Sequence, residues 1–139
     1  MAELVAEKCR NVIVSDFEMD LPSPSFTYHT LIKLKDRYPD CSFKIIIGSD
    51  NWIEFRQWKN YDKIISEFGV IVFARPGFHL SPIENIEGVV LLENTPQCYV
   101  SSTIIREMAR EGKNINFLVP ENVADYITKN KLYRKDEYK

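Results

Sequence analysis

Short apolar runs alternate along the chain with stretches whose apolar residues fall three and four apart. SFKIIIGSD (42–50), GVIVFARPG (69–77) and EGVVLLE (87–93) each hold a run of strand length, and the first two close on glycine or on Pro76-Gly77. NVIVSD (11–16) predicts one more short strand. Between them, SPSFTYHTLIKLKDRYPD (23–40) places Tyr28, Leu31, Ile32 and Leu34 at near-helical spacing before Pro39 ends the pattern. NWIEFRQWKNYDKIISEF (51–68) predicts one or two short helices. SSTIIREMAREG (101–112) predicts a helix with Gly112 as its C-cap, and VPENVADYITKNKLY (119–133) a last helix with Pro120 at the first helical position.

Strands apolar on both faces, alternating with helices, predict an α/β fold: a parallel sheet covered by helices on both faces. In such sheets ligands bind beyond the carboxyl ends of the strands. That rule brings Ser49 and Asp50, after one strand, and Arg75, after the next, to a common mouth. The helix that opens at Ser101 is expected to face the same mouth. The beginning of the chain is unusual, because Met1, Leu4, Val5 and Cys9 already form a helical stripe with no N-cap before them. A helix that starts in mid-course is what a truncated domain would show.

Composition narrows the classes. The 139 residues suit one domain, large enough to bury a core without staples. A net charge of -2 gives no basic footprint for nucleic acid. Cys9, Cys41 and Cys98 are far apart and odd in number, so neither a zinc ribbon nor a disulfide framework is indicated, and a reducing, cytoplasmic setting is the simplest reading. No apolar run reaches the length of about 18 residues that suggests a membrane span. MAELVAEKCR is too charged for a signal peptide. Oligomeric state is open, with a homo-oligomer allowed.

Four places carry candidate chemistry. Ser101-Ser102-Thr103 open a helix, and Arg106 lies three residues after Thr103 and four after Ser102, on the same face. Free N–H groups and a partial positive charge at such a helix start suit either a capping hydroxyl or a phosphate, and an arginine fork can grip phosphate in two places. Both readings stand at this point. Gly48 is expected to let the backbone turn sharply after its strand, and Asp50 either accepts from ribose hydroxyls or caps the next helix. Trp58, amid Arg56, Gln57 and Lys59, is either a half-buried anchor or a stacking platform for a flat ring, whereas Trp52 fits the core stripe with Phe55. Arg75 is a solvated loop charge or a phosphate contact. His29 and His79 stand alone without metal-ligand spacing, and Glu84 and Glu87 read as solvated loop residues.

Taken together, SFTYHTLIKLKDRYP, FKIIIGSDNWIEFRQWKNYDKI, FARPGF, YVSSTIIREMAREGKNINFLVPENVADYI and the closing LY resemble the bacterial nicotinate-nucleotide adenylyltransferases, in the family's order and over nearly the whole chain. SSTIIR fits the family's S-S-T-x-I-R signature. The resemblance implies a nucleotidyltransferase Rossmann-like fold and transfer of AMP from ATP to nicotinate mononucleotide, giving deamido-NAD and pyrophosphate, with Mg²⁺ accompanying ATP. It implies ATP-binding roles for Gly48, Asp50, Arg75, Ser102, Thr103 and Arg106, with Asp50 on the ribose and Arg106 on phosphates. It implies a nicotinate stack on Trp58 and contact of the nicotinate carboxylate with backbone amides near Thr27 and Lys59.

The family's opening strand and its G-x-F-D-P-x-H-x-G-H segment, whose histidines stabilise the transferring phosphate, have no counterpart here. Neither histidine stands in H-x-G-H. The expectation is therefore a single domain over 1–139, N-terminally truncated and without the family's N-terminal strand, in which no catalytic residue is identified and turnover is low. The alternative is a nucleotide-binding module without catalysis; a third reading is a plain doubly wound domain whose hydroxyl triplet is only a cap.

Overall fold

The computed structural model describes residues 1–78, 86–93, 95–96 and 98–134; His79 and Glu84 lie outside them. The described residues gather into two compact units, one of Phe17–Cys98 and one of Met1–Asp16 with the residues from Tyr99 on.

In the Phe17–Cys98 unit, β1 (Ile45–Gly48), β2 (Val70–Phe73) and β3 (Val89–Leu92) form a parallel sheet in the order β1-β2-β3. The register runs from Ile45–Val70–Val89 to Gly48–Phe73–Leu92. Side chains alternate between faces along a strand. Ile45, Ile47, Val70, Val72, Val89 and Leu91 therefore share one face, which packs with Leu31 of α2 (Thr27–Arg37) and with Phe55, Ile64 and Phe68. The opposite face is less covered than expected. Ile46 is 67% exposed, Val90 47% and Leu92 42%, while Ile71 and Phe73 are half-buried. A continuous apolar run cannot tell a buried second face from the preference of branched side chains for strands.

The β1–β2 connection breaks into short pieces: α3 (Ser49–Glu54), a 3₁₀ turn at Phe55–Gln57, α4 (Tyr61–Lys63) and a π-type turn at Ile64–Phe68. Asn60, at φ 58°, separates the first pair from the second. Phe55, 1% exposed, is the hub, with Trp52 stacked on it and Trp58 and Tyr61 against it. Burying such a ring anchors a chain too broken to hold itself by helix hydrogen bonds.

In the other unit, α5 (Ser102–Arg110) and α6 (Glu121–Lys129) bury Ile105, Ala109, Val123, Ala124 and Ile127 with Ile115. α1 (Ala2–Ala6) packs Leu4 against this core, and the Asn122 side-chain amide donates to the Leu4 carbonyl at 2.5 Å. The predicted stripe to Cys9 is longer than the helix, and Cys9 is exposed. Residues 11–16 are irregular, not a strand, and Ile13 is 92% exposed. Their apolar triplet has no strand to pair with among the described residues, and isolated pairing of this length is not stable. Gly112, at φ 70°, sits one residue beyond the C-cap Glu111. Pro120 is the N-cap of α6, one residue earlier than expected, its carbonyl accepting from Val123 and Ala124.

Candidate functional site

At the carboxyl ends of β1 and β2 three predicted residues meet. The register sets Gly48 beside Phe73, so the residues that follow each strand emerge side by side. Ser49 is fully buried, and its Oγ accepts the Arg75 N–H at 2.9 Å. Arg75 Nη1 donates to Asp50 Oδ2 at 2.6 Å, with side chains 40% and 28% exposed. The sequence pattern brings Asp50 and Arg75 to one mouth but does not indicate this ion pair. The pair uses one of the five guanidinium N–H donors, and the others remain directed by it. Asp50 Oδ1 is buried and has no hydrogen-bond partner among the described residues.

Gly48 serves this pair, but not by a sharp turn. Its backbone is extended, at φ -78° and ψ 160°. What it supplies is room: a β-carbon there would strike Asp50 Oδ1 and lie 2.6 Å from Arg75 Cδ. The glycine is required for close approach.

The nicotinate candidates lie in the same unit. Thr27 is the first residue of α2, where helix N–H groups lack intrahelical partners. Lys59 Nζ stands 4.3 Å from the ring centroid of Phe26, so the structure brings Lys59 to the residue next to Thr27. Trp58 is half-buried, its ring centroid 5.2 Å from that of Phe55. Trp52 packs on the core as expected. Beside Thr27, the Tyr28 hydroxyl donates to Glu67 at 3.1 Å; burial first, and that bond second, raise its pKa above the ordinary value. His29 is exposed, edge-on to Phe26. No group of three metal-ligating side chains occurs among the described residues.

The hydroxyl triplet belongs to the other unit, and its members divide the work. Ser101 is the N-cap of α5, its Oγ accepting the Ile104 N–H at 3.3 Å. Ser102 and Thr103 are exposed, as is Arg106 one turn further on. Arg106 stands over the ring of Tyr133, 5.9 Å from its centroid. Tyr133, in the closing LY, carries no local sequence signal for a role. Its signal is in three dimensions, since 27 positions separate it from Arg106.

Three parallel strands with helices define the class as an α/β protein of nucleotidyltransferase-like fold. The family model for cytidylyltransferase-like proteins matches residues 1–108. A probable nicotinate-nucleotide adenylyltransferase of Flavobacterium johnsoniae is 36% identical, over 97% of this chain and 70% of its own. One of Bacteroides thetaiotaomicron is 38% identical over 127 residues, 91% of this chain. The fold matches Plasmodium falciparum nicotinic acid mononucleotide adenylyltransferase complexed with NaAD, at a TM-score of 0.74 and 22% identity, covering 94% of this chain and 70% of that one. The same enzyme complexed with APC gives 0.76 at 21% identity, covering 94% and 71%.

The chain belongs to the nicotinate-nucleotide adenylyltransferases, within the cytidylyltransferase-like family. It spans 62% of the length of the Bacteroides thetaiotaomicron relative and 59% of that of a Bacteroides fragilis relative. Among the described residues no helix is long and apolar enough to cross a membrane.

Proposed function

We propose that these residues form the nucleotide-binding part of an adenylyltransferase that moves AMP from ATP to nicotinate mononucleotide. The observation that carries this reading is the division of labour at α5. Ser101 alone satisfies the cap, so Ser102, Thr103 and Arg106 are left on one exposed face beside the free N–H groups of the helix.

In this reading a phosphate oxygen of nicotinate mononucleotide attacks the α-phosphorus of ATP in line. The bond from that phosphorus to the bridging oxygen breaks, and pyrophosphate leaves with Mg²⁺, which arrives with ATP as part of the substrate. No covalent enzyme intermediate is needed, so the protein's task is positioning and charge. Ser102, Thr103 and Arg106 hold ATP phosphates. The unpartnered Asp50 Oδ1 accepts from the ribose, and Arg75, fixed by Asp50 Oδ2, keeps further donors for the nucleotide. Trp58 stacks on the nicotinate ring, and amides near Thr27 and Lys59 meet its carboxylate. Three free, exposed cysteines suit a reducing, cytoplasmic setting.

The test is calorimetric titration of the chain with ATP and with nicotinate mononucleotide, in parent and Arg106→Ala. Loss of one charged hydrogen bond typically costs about 1.5–3 kcal/mol, so ATP should weaken by that amount and nicotinate mononucleotide should not. Equal ATP affinity in a fold-intact variant removes the phosphate role.

A further inference from the structure

We propose that Tyr133 is a positioning residue that holds the Arg106 guanidinium in place for a polyphosphate. The inference rests on the reading of Ser102, Thr103 and Arg106 as a phosphate site. Four observations support it. Arg106 lies over the Tyr133 ring at 5.9 Å, within the range of cation–π attraction. No carboxylate forms an ion pair with Arg106 among the described residues. Ser101, Ser102, Arg106 and Tyr133 all line one cavity of about 400 Å³, whose lining includes Val123 and no acidic residue. The chain also adopts a costly conformation to put the ring there.

That conformation is local and specific. After α6, Lys131 has φ 52° and Tyr133 φ 64°, both in the left-handed region that bulky side chains rarely adopt. Between them the Leu132 N–H bonds the Ile127 carbonyl at 3.0 Å, and its side chain packs on the α5–α6 core. One left-handed residue, usually glycine, is enough to end a helix. Lys131 answers that need, and Leu132 is explained by burial. Neither explains Tyr133, which is 37% exposed and so is no core anchor. Backbone held in a sparsely populated region without a packing reason points to a functional constraint.

The choice of an aromatic partner has a physical consequence. A long arginine side chain loses considerable rotamer freedom when it is fixed. A carboxylate would fix it but would also compete with phosphate for its N–H groups. A ring face fixes the guanidinium through its quadrupole and leaves those donors free.

Inorganic tripolyphosphate is the probe, because it has no base or ribose to bind elsewhere. Its affinity is measured for the full chain as parent, Tyr133→Phe, Tyr133→Leu, Arg106→Ala and the Arg106→Ala/Tyr133→Leu pair. Tyr133→Phe should match the parent, since the ring remains. Tyr133→Leu keeps apolar bulk without a ring and should bind about two- to fivefold more weakly, the span expected for an exposed cation–π pair. In the Arg106→Ala background the leucine change should have no further effect, whereas a merely structural role would show in both backgrounds. Leucine binding as tightly as phenylalanine, or weakening binding equally in both backgrounds, overturns the role of Tyr133 and leaves the phosphate site standing. If Arg106→Ala binds like the parent, it is the phosphate reading that fails.

Discussion

A methyl group at Gly48 would collide with the side chains of Asp50 and Arg75, while the backbone there would accept any residue. Gly48→Ala therefore tests the strand-end site without testing the fold. The colliding atoms belong to side chains that can swing away, so the pair should open and the sheet should persist. A partly exposed ion pair contributes about 0–1 kcal/mol, and the change in unfolding free energy should stay in that range. ATP affinity should fall by more, about 1.5–3 kcal/mol, because an ordered carboxylate acceptor is lost to the nucleotide. Denaturant titration beside ATP titration reads both quantities; a stability loss as large as the affinity loss would mean that Gly48 is needed for folding instead. The residue types at this site were legible in the sequence, because a parallel sheet collects strand-end residues at one edge. The bond between Asp50 and Arg75 was not, since it depends on register, and register follows from strand pairing that no local pattern encodes.

Among the elements, α5 gives the sharpest separation of a capping hydroxyl from exposed ones. Ser101 accepts the Ile104 N–H, whereas Ser102 and Thr103 are exposed within the first turn. Ser101→Ala should cost about 1 kcal/mol of stability, the usual worth of an N-cap, and leave intrinsic ATP affinity near the parent value. Ser102→Ala should do the reverse, weakening ATP by about 1 kcal/mol with an unchanged melting curve. Swapped outcomes would assign the phosphate role to the wrong hydroxyl. Sequence alone leaves cap and phosphate as rivals; the structure gives the cap to Ser101, and the phosphate role is proposed for its neighbours, because only one hydroxyl can occupy the capping geometry. The starts of α5 and α6 are legible to within a residue, and Pro39 lies two residues beyond the end of α2, because caps and prolines are local signals. NVIVSD was misread as a strand because strand formation needs a partner, and the pattern within six residues cannot supply one.

On the scale of the whole chain, the family resemblance extends over most of the 139 residues, yet they include only His29 and His79, and neither lies in H-x-G-H. Adenylyl transfer builds charge on the moving phosphate, and that charge has to be met by donors already in place. Loss of a single preorganised donor commonly lowers a rate by about 10²–10³. In the proposed reading the donors for the ATP phosphates are at α5, local to the helix start. Nucleotide binding and turnover are thus expected to separate: the 139 residues by themselves should bind ATP while releasing pyrophosphate at least about 10²-fold more slowly than the full-length Flavobacterium johnsoniae relative under the same conditions. The partly exposed apolar face of the sheet, with Ile46, Val90 and Leu92 on it, adds a practical requirement, since such a face favours association at high concentration. Pyrophosphate release should accordingly be followed at several protein concentrations, with bound ATP measured in each sample. A rate close to that of the relative would show that residues within these 139 meet the charge on the moving phosphate, and the assignment of these residues to binding alone would have to be abandoned. ATP binding without release, at every concentration, is the outcome that the proposed division between phosphate binding at α5 and the transfer step requires.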